Sequence, residues 1–216
     1  MTVLAIDTST ARGTVALLRD GALLLDEVFT ADRSQSSALF PILEKSRMLA
    51  PKLDVIAIGL GPGSYAGVRI AIATALGLAS AMGSRLVGLA SVAALETTAT
   101  RYIAIGDARR DTFYFTRVED GLCIEGPLLL DAATLQARLQ EFAGWEINCP
   151  TPLAPQFNAE VRLPRASLLA HLAERGRGIL QAEDLEPLYL RDPHITTPKT
   201  QTAGAGVKTP GHHAVG

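Results

Sequence analysis

The glycine-rich segment at residues 59–69, GLGPGSYAGVR, is the part of the chain with the most direct chemical meaning. It follows a predicted strand and precedes a predicted helix, where backbone N–H groups and the helix dipole can hold an anion. Phosphate binding is therefore the first functional hypothesis. However, the segment matches neither a P-loop nor a dinucleotide fingerprint, and no acidic residue ends the following strand at Leu89. A structural role, in which the glycines only allow a tight turn and close helix–sheet packing, is the alternative.

A second candidate is the polar turn Asp7-Thr8-Ser9-Thr10, which follows an apolar strand predicted at residues 3–6. A carboxylate with hydroxyl groups at the end of a strand can hold a metal–phosphate group. Aspartate and serine are also ordinary turn residues, because their side chains bond to nearby backbone groups. Taken alone, the pattern favours the turn.

Nucleophilic and metal-assisted catalysis find little support in the reactive side chains. Ser64 does not lie in a G-x-S-x-G motif, and no histidine is near it in sequence. Cys123 and Cys149 form no C-x-x-C pair, so neither a zinc ribbon nor a disulfide framework is predicted. The histidines never occur as H-x-x-x-H or H-E-x-x-H, so no helical face offers two imidazoles. They are His171, His194, His212 and His213.

The helix predicted at residues 68–82 carries a single charged residue, Arg69. Its small residues recur at helical spacing in two rows. The rows are Ala71, Ala75 and Ala79, and Ala73, Gly77 and Ala81. A helix that is apolar on all sides must be covered, either by its own fold or by another chain. A fully buried core helix and a subunit interface both remain open.

The elements that position these segments predict an α/β fold. The first strand is followed by a hairpin whose strands, 13–18 and 22–29, are joined by an Asp20-Gly21 turn. Apolar periodicity and capping residues predict the remaining elements. Helices are expected at 36–50, 68–82, 91–96, 132–142 and 167–175, and strands at 55–59, 85–89, 102–106, 112–118 and 145–149.

Composition narrows the classes of protein to consider. Hydrophobic residues make up 48% and charged residues 19% of the 216-residue chain, which predicts a folded protein with a real core. No basic leader precedes an apolar stretch and no long uninterrupted apolar run occurs, so a reducing, cytoplasmic location is expected. The net charge of −2 provides no global attraction to nucleic acid, so another subunit is expected to hold most of any bound RNA.

Four segments in order resemble the TsaB (YeaZ) family of the actin-like ATPase (ribonuclease H-like) superfold. They are residues 4–9 (LAIDTS), 61–70 (GPGSYAGVRI), 104–109 (AIGDAR) followed by Phe113-Tyr114, and 186–191 (EPLYLR). The similarity spans about residues 2–192. It implies two related lobes with mixed sheets flanked by helices: residues 1–98 with the partner-binding helix, and residues 99–192. Residues 193–216 are expected to be a disordered tail.

The resemblance also implies a function. The protein would be a non-catalytic scaffold or activator in tRNA threonylcarbamoyladenosine (t6A) synthesis that binds a TsaD-like catalytic paralogue. It would form a homodimer when alone, meet a TsaE-like ATPase through the complex, and contact tRNA only indirectly. The implied partner interface comprises Gly61, Pro62, Gly63, Ser64, Tyr65, Gly67, Arg69, Ala71, Ala75, Gly77 and Ala79. The implied vestigial nucleotide pocket comprises Asp7, Thr8, Ser9 and Asp107.

The sequence differs from the catalytically active members of the superfold at positions that metal and nucleotide binding require. The helix start at residues 33–41, RSQSSALFP, lacks the metal-binding histidine pair of the catalytic paralogue. The chain has no Gly-Gly turn, which an adenosine site in the second lobe needs for close backbone approach; the corresponding loop, 106–110, reads GDARR. No intrinsic cofactor is expected, with ATP and magnesium bound weakly or by the complex. A glycoprotease-like metallopeptidase and a small-molecule kinase of the same superfold are the alternative functions.

Overall fold

The structure is a computed structural model that describes residues 1–30, 35–182 and 184–190. These residues form eleven strands and four α-helices. In chain order they are β1 (Thr2–Asp7), β2 (Arg12–Arg19), β3 (Ala22–Thr30), α1 (Gln35–Leu49), β4 (Val55–Gly59), α2 (Tyr65–Met82), β5 (Arg85–Leu89), β6 (Arg101–Asp107), β7 (Thr112–Glu119), β8 (Leu122–Asp131), α3 (Ala132–Gln140), β9 (Glu146–Cys149), β10 (Glu160–Val161), α4 (Ala166–Glu174) and β11 (Ile179–Ala182). The predicted tail at 193–216, with His194, His212 and His213, lies outside the described residues.

The first sheet has the strand order β11-β5-β4-β1-β2-β3. β1 pairs antiparallel with β2 and parallel with β4, and β5 continues the parallel part. The predicted hairpin between β2 and β3 is confirmed: Asp20 and Gly21 adopt φ angles of 48° and 78°, as a two-residue hairpin turn requires.

The second sheet, β10-β9-β6-β7-β8, repeats the order of the first. In each sheet three antiparallel strands are followed by a helix and then by strands parallel to the first of the three. As a result Asp7 and Asp107 occupy equivalent positions, at the carboxyl ends of β1 and β6.

Helices cover both faces of the first sheet. α1 and α2 pack on one face around a core that includes Leu4, Ile56 and Val68. α4 packs on the opposite face, mainly against β1 and β2, and β11 then pairs with β5. The chain after residue 165 therefore returns to the first sheet. α3 packs on the second sheet.

Several elements differ from the sequence expectation. α2 begins at Tyr65 rather than at residue 68, because Ser64 caps it and accepts a hydrogen bond from the Gly67 amide at 3.2 Å. The helix expected at 91–96 is a single 3-10 turn, Ser91–Ala94, because the Ser91 hydroxyl accepts from the Gly61 amide instead of capping. Strands β8, β10 and β11 were not expected; all three lie at sheet edges and are partly exposed, so their apolar pattern is weak.

Candidate functional site: the glycine loop, the cleft and helix α2

The Asp7 turn lies directly beneath the glycine loop. The Asp7 carboxylate is 1% exposed, and its Oδ1 accepts hydrogen bonds from the Ser9 amide at 2.9 Å and the Ser9 hydroxyl at 2.7 Å. Thr8 Oγ1 donates to the Gly67 carbonyl at 2.7 Å. The Ser64 amide donates to the Ser9 carbonyl at 2.6 Å. The turn and the loop are therefore one hydrogen-bonded unit inside the first lobe.

Close packing explains two of the glycines. A Cβ atom on Gly59 would lie 1.9 Å from Asp7 Oδ2, and one on Gly67 would lie 1.9 Å from the Thr8 carbonyl oxygen. Neither position has space for any side chain. The amides of Gly61, Ser64 and Gly67 all donate within the chain, which leaves them unavailable to a phosphate. These contacts favour the structural role of the glycine loop over the phosphate-binding hypothesis.

A magnesium–ATP group does not fit the Asp7 turn. Asp7 Oδ2 has no hydrogen-bond partner, so this oxygen is free in the way that a metal ligand must be. However, the glycine loop closes over the turn, and Ser9 is only 2% exposed. Asp7 also does not line the open cleft beside the glycine loop, whereas Asp107 does. In residues 1–30, 35–182 and 184–190, no three or more histidine, cysteine or acidic side chains are grouped so that they could hold a metal ion. The structure thus does not bring the four residues of the expected nucleotide pocket to one open site.

Burial raises the pKa of the Asp7 carboxyl above its ordinary value, and the hydrogen bonds from Ser9 oppose this only in part. A raised folded-state pKa means that the folded protein holds a proton longer than the unfolded chain does. The contribution of Asp7 to stability is therefore most favourable below the unfolded-state pKa. It is lost as pH rises towards the folded-state pKa.

The stability of the Asp7→Asn variant relative to the wild type should consequently increase as pH rises. The amide keeps the acceptor for Ser9 but does not titrate. We expect the difference in thermal unfolding temperature, variant minus wild type, to increase between about pH 4 and neutrality. Unfolding followed by circular dichroism across this range measures it. A difference that moves against the variant as pH rises would mean that the ionised carboxylate stabilises the fold.

A cleft of about 530 Å³ opens beside the glycine loop. Its walls come from the start of α2, the loop between β6 and β7, and residues 187–190 near the end of the described chain. The rings of Tyr65 and Tyr189 lie 5.7 Å apart, and the Arg69 guanidinium lies 5.1 Å from the Tyr65 ring and donates to its hydroxyl. Tyr189 was not among the expected site residues, although the motif at 186–191 contained it.

The β6–β7 loop presents charged groups to this cleft. Arg109, Arg110 and Asp111 have consecutive positive φ angles of 67°, 55° and 56°, a conformation that non-glycine residues rarely adopt. The exposed carboxylate of Asp107 accepts a hydrogen bond from the Arg109 amide at 2.7 Å, which supports this turn. Two arginines are thereby placed among the lining residues of the cleft.

Helix α2 is buried along one side only. About a third of its residues are buried, although by length and composition it is the one helix of the described chain that could cross a membrane. The interpretation as a fully buried core helix is therefore wrong. Ala71 and Ala75, both expected at the partner interface, are 0% exposed and pack in the chain's own core. The other row, with Ala73, Gly77 and Ala81, faces outward.

The remaining expected interface residues divide in the same way. Gly61, Pro62 and Gly67 are buried and Ala79 is half-buried, whereas Gly63, Ser64, Tyr65, Arg69 and Gly77 are exposed. Ala71 and Ala75 cannot touch a partner in this structure, because the chain's own sheet already covers them. The surface of α2 that a partner can reach includes the outward row together with Tyr65, Arg69 and Leu76.

A largely apolar groove of about 470 Å³ runs between this outward row and α1; we call it the α1–α2 groove. It is lined by Phe40, Leu43, Glu44, Arg47, Ala73, Thr74, Gly77 and Leu78. Phe40 is 57% exposed, and a Cβ atom on Gly77 would meet nothing within 4 Å. The contribution of α1 was not expected. Phe40 offered a signal, because it falls outside the apolar stripe of Leu39, Ile42 and Leu43.

Known proteins resemble this chain along most of its length. Residues 36–137 match the family model described as TsaD, tRNA N6-adenosine threonylcarbamoyltransferase. The tRNA threonylcarbamoyladenosine biosynthesis protein TsaB of Escherichia coli is 29% identical over 222 residues, which cover 89% of this chain and 95% of that protein. The structure of YeaZ from Pseudomonas aeruginosa has a TM-score of 0.65 and 28% identity, over 88% of this chain and 99% of that chain.

A protein from Mycobacterium tuberculosis is 34% identical over 139 residues, 61% of this chain and 66% of that protein. The chain spans less than two thirds of the length of the mycobacterial relatives that it matches. Together with the repeated strand order, the likeness to the solved structure shows that the fold is that of the actin-like ATPase, or ribonuclease H-like, superfold.

Proposed function

Because this chain belongs to the TsaB (YeaZ) family, we propose that it functions in tRNA threonylcarbamoyladenosine synthesis as a scaffold that binds and supports a TsaD-like catalytic subunit. The TsaB protein of Escherichia coli, which carries this biosynthetic name, matches the chain over 95% of its own length. Within the complex, a TsaE-like ATPase is met through the catalytic subunit, and the location is cytoplasmic.

The observation that carries the proposal is the α1–α2 groove. An apolar helix that is only one-third buried leaves hydrophobic area in water, which another chain can remove. The small outward residues Ala73 and Gly77 allow a helix of the partner to approach closely. Glu44 and Arg47 also line the groove, and because both are exposed they supply charges for a polar rim. We assign this groove to the catalytic paralogue, and to a second copy of the chain when the paralogue is absent.

Light-scattering chromatography tests the assignment. The protein alone should elute as a dimer and, mixed with the TsaD-like subunit of the same organism, should convert to a complex containing both chains. A monomer that does not bind the paralogue would overturn the proposed scaffold function.

We further propose that the chain alone does not turn over ATP. The Asp7 turn is closed by the glycine loop, and its hydrogen bonds are used within the fold. We expect purified protein with magnesium and ATP to release phosphate no faster than a protein-free blank. Steady release that disappears in Asp7→Ala, while the variant remains folded, would instead support a kinase-like enzyme.

A further inference from the structure

A second groove lies between the end of α4 and the connection at residues 93–100; we call it the arginine groove. It consists of two adjoining cavities of about 400 and 390 Å³ that share Thr97, Thr98 and Leu168. It is distinct from the α1–α2 groove, because α4 lies on the opposite face of the first sheet. Four arginines line it against two carboxylates, Glu96 and Asp120, in a chain whose net charge is −2.

Two of these arginines have no partner within the chain. In the part of the chain that the structure describes, the side chains of Arg175 and Arg177 form no ion pair and no hydrogen bond. Asp120 lines the same cavity but pairs with neither. Glu174, the nearest acid on α4, accepts a hydrogen bond from the Gly21 amide at 2.8 Å instead. Both guanidinium groups are therefore available to an external anion.

Arg175 and Arg177 follow the end of α4, where arginines often cap the helix, but the backbone contacts argue against this role. Basic side chains often cap the carbonyl groups at the C-terminus of a helix. Here the backbone already does this: the amides of Arg175, Gly176 and Arg177 donate to the carbonyls of His171, Ala173 and Leu172 at 3.2, 3.1 and 2.9 Å. The guanidinium groups are not needed for capping.

The other end of the groove carries arginines that are already paired. Arg162 forms an ion pair with Glu160 at 2.6 Å, and Arg165 pairs with Asp26 at 3.0 Å and Glu96 at 3.4 Å, so the unpaired positive charge lies at Arg175 and Arg177. Thr98 lines both cavities, and Thr100 lines the cavity that contains Arg175 and Arg177. Arginine together with threonine hydroxyls is the combination that proteins use to bind the nucleic-acid backbone.

The groove suits a chain of phosphates better than a base. Of the described lining residues, Tyr102 is the one Phe, Tyr or Trp, but this ring is 3% exposed and its hydroxyl donates to the Val92 carbonyl at 2.7 Å. Within the described lining no exposed phenyl, phenol or indole face is available for base stacking, and the half-exposed imidazole of His171 is the remaining ring. We propose that the arginine groove binds the phosphate backbone of RNA without reading its sequence. This rests on the proposed function, in which tRNA is the substrate of the assembled complex.

The test compares Arg175→Gln/Arg177→Gln with the wild type and with Lys52→Gln/Arg85→Gln. The control pair removes the same charge from exposed positions outside the groove. Binding of an unmodified tRNA transcript is measured by fluorescence anisotropy at several salt concentrations, for the full chain alone and with the TsaD-like subunit. We expect the groove variant to bind about tenfold more weakly, with a salt slope lower by about two, because each lost phosphate contact lowers it by about 0.9.

Three results would overturn the proposal. The first is a groove variant with wild-type affinity and slope, and the second is an equal loss in the control pair. The third is saturable calorimetric binding of inorganic phosphate at the groove without any effect on tRNA, which would indicate a small anion. Complex formation is followed separately by light scattering. If wild-type subunits do not associate, the scaffold function fails, while the measurement on the single chain still decides the RNA proposal.

Discussion

Ala73→Arg should remove binding of the TsaD-like subunit while leaving the fold intact. Ala73 lies on the outward side of α2 and lines the α1–α2 groove, so a long charged side chain there fills the space that a partner helix would enter. An unpaired charge in a desolvated interface costs about 2–5 kcal/mol, which is about 30-fold or more in affinity. Titration calorimetry with the paralogue measures the loss, and light scattering should show the same loss for the homodimer.

Ala137→Arg provides the matched control. Ala137 is an exposed alanine on α3, which packs on the second sheet and does not line the groove. It should bind the partner like the wild type. Unchanged binding by Ala73→Arg, with the expected far-ultraviolet spectrum, would exclude the groove as the interface and leave the cleft around Tyr65 as the next surface to test.

Ala75→Arg should have the largest effect on stability. Ala75 is only two residues from Ala73 in sequence, but it is 0% exposed in the core between α2 and the first sheet. The guanidinium group would have neither space nor a partner, and burying an unpaired charge costs about 4 kcal/mol or more. Against a typical total stability of about 5–15 kcal/mol, this predicts a mostly unfolded or aggregated protein.

Thermal unfolding and circular dichroism of the two variants, prepared in parallel, distinguish the core from the interface. Ala73→Arg should unfold near the wild-type temperature, whereas Ala75→Arg should lose its cooperative transition. A folded Ala75→Arg that no longer binds the partner would mean that α2 is oriented differently, with the Ala71 and Ala75 row at the interface.

The local elements were predictable because short-range chemistry determines them. The Asp20-Gly21 turn needs residues that tolerate positive φ, and alternating apolar residues on either side predict the hairpin. The strand at residues 55–59 is continuously apolar because both of its faces are covered. The order of four short motifs was sufficient to indicate the family, and two of them, at residues 4–9 and 104–109, lie at equivalent positions at the ends of β1 and β6.

The return of the chain to the first sheet was not predictable from the sequence. α4 and β11 follow the second sheet in the chain but pack against β1, β2 and β5, and no local pattern specifies which of two similar sheets a late element joins. The selection depends on long-range packing. The same packing assembles the arginine groove from residues near 97 and residues near 175.

The sequence by itself determined that α2 is apolar, rich in small residues and preceded by a glycine loop, because those are properties of residue type and spacing. Only the tertiary structure decided which row of small residues is buried, because the rotation of α2 about its axis depends on the sheet beneath it. It likewise closed the Asp7 turn: the motif supplies a carboxylate and hydroxyls, but the contacts of Gly59 and Gly67 bury them and direct their hydrogen bonds inward.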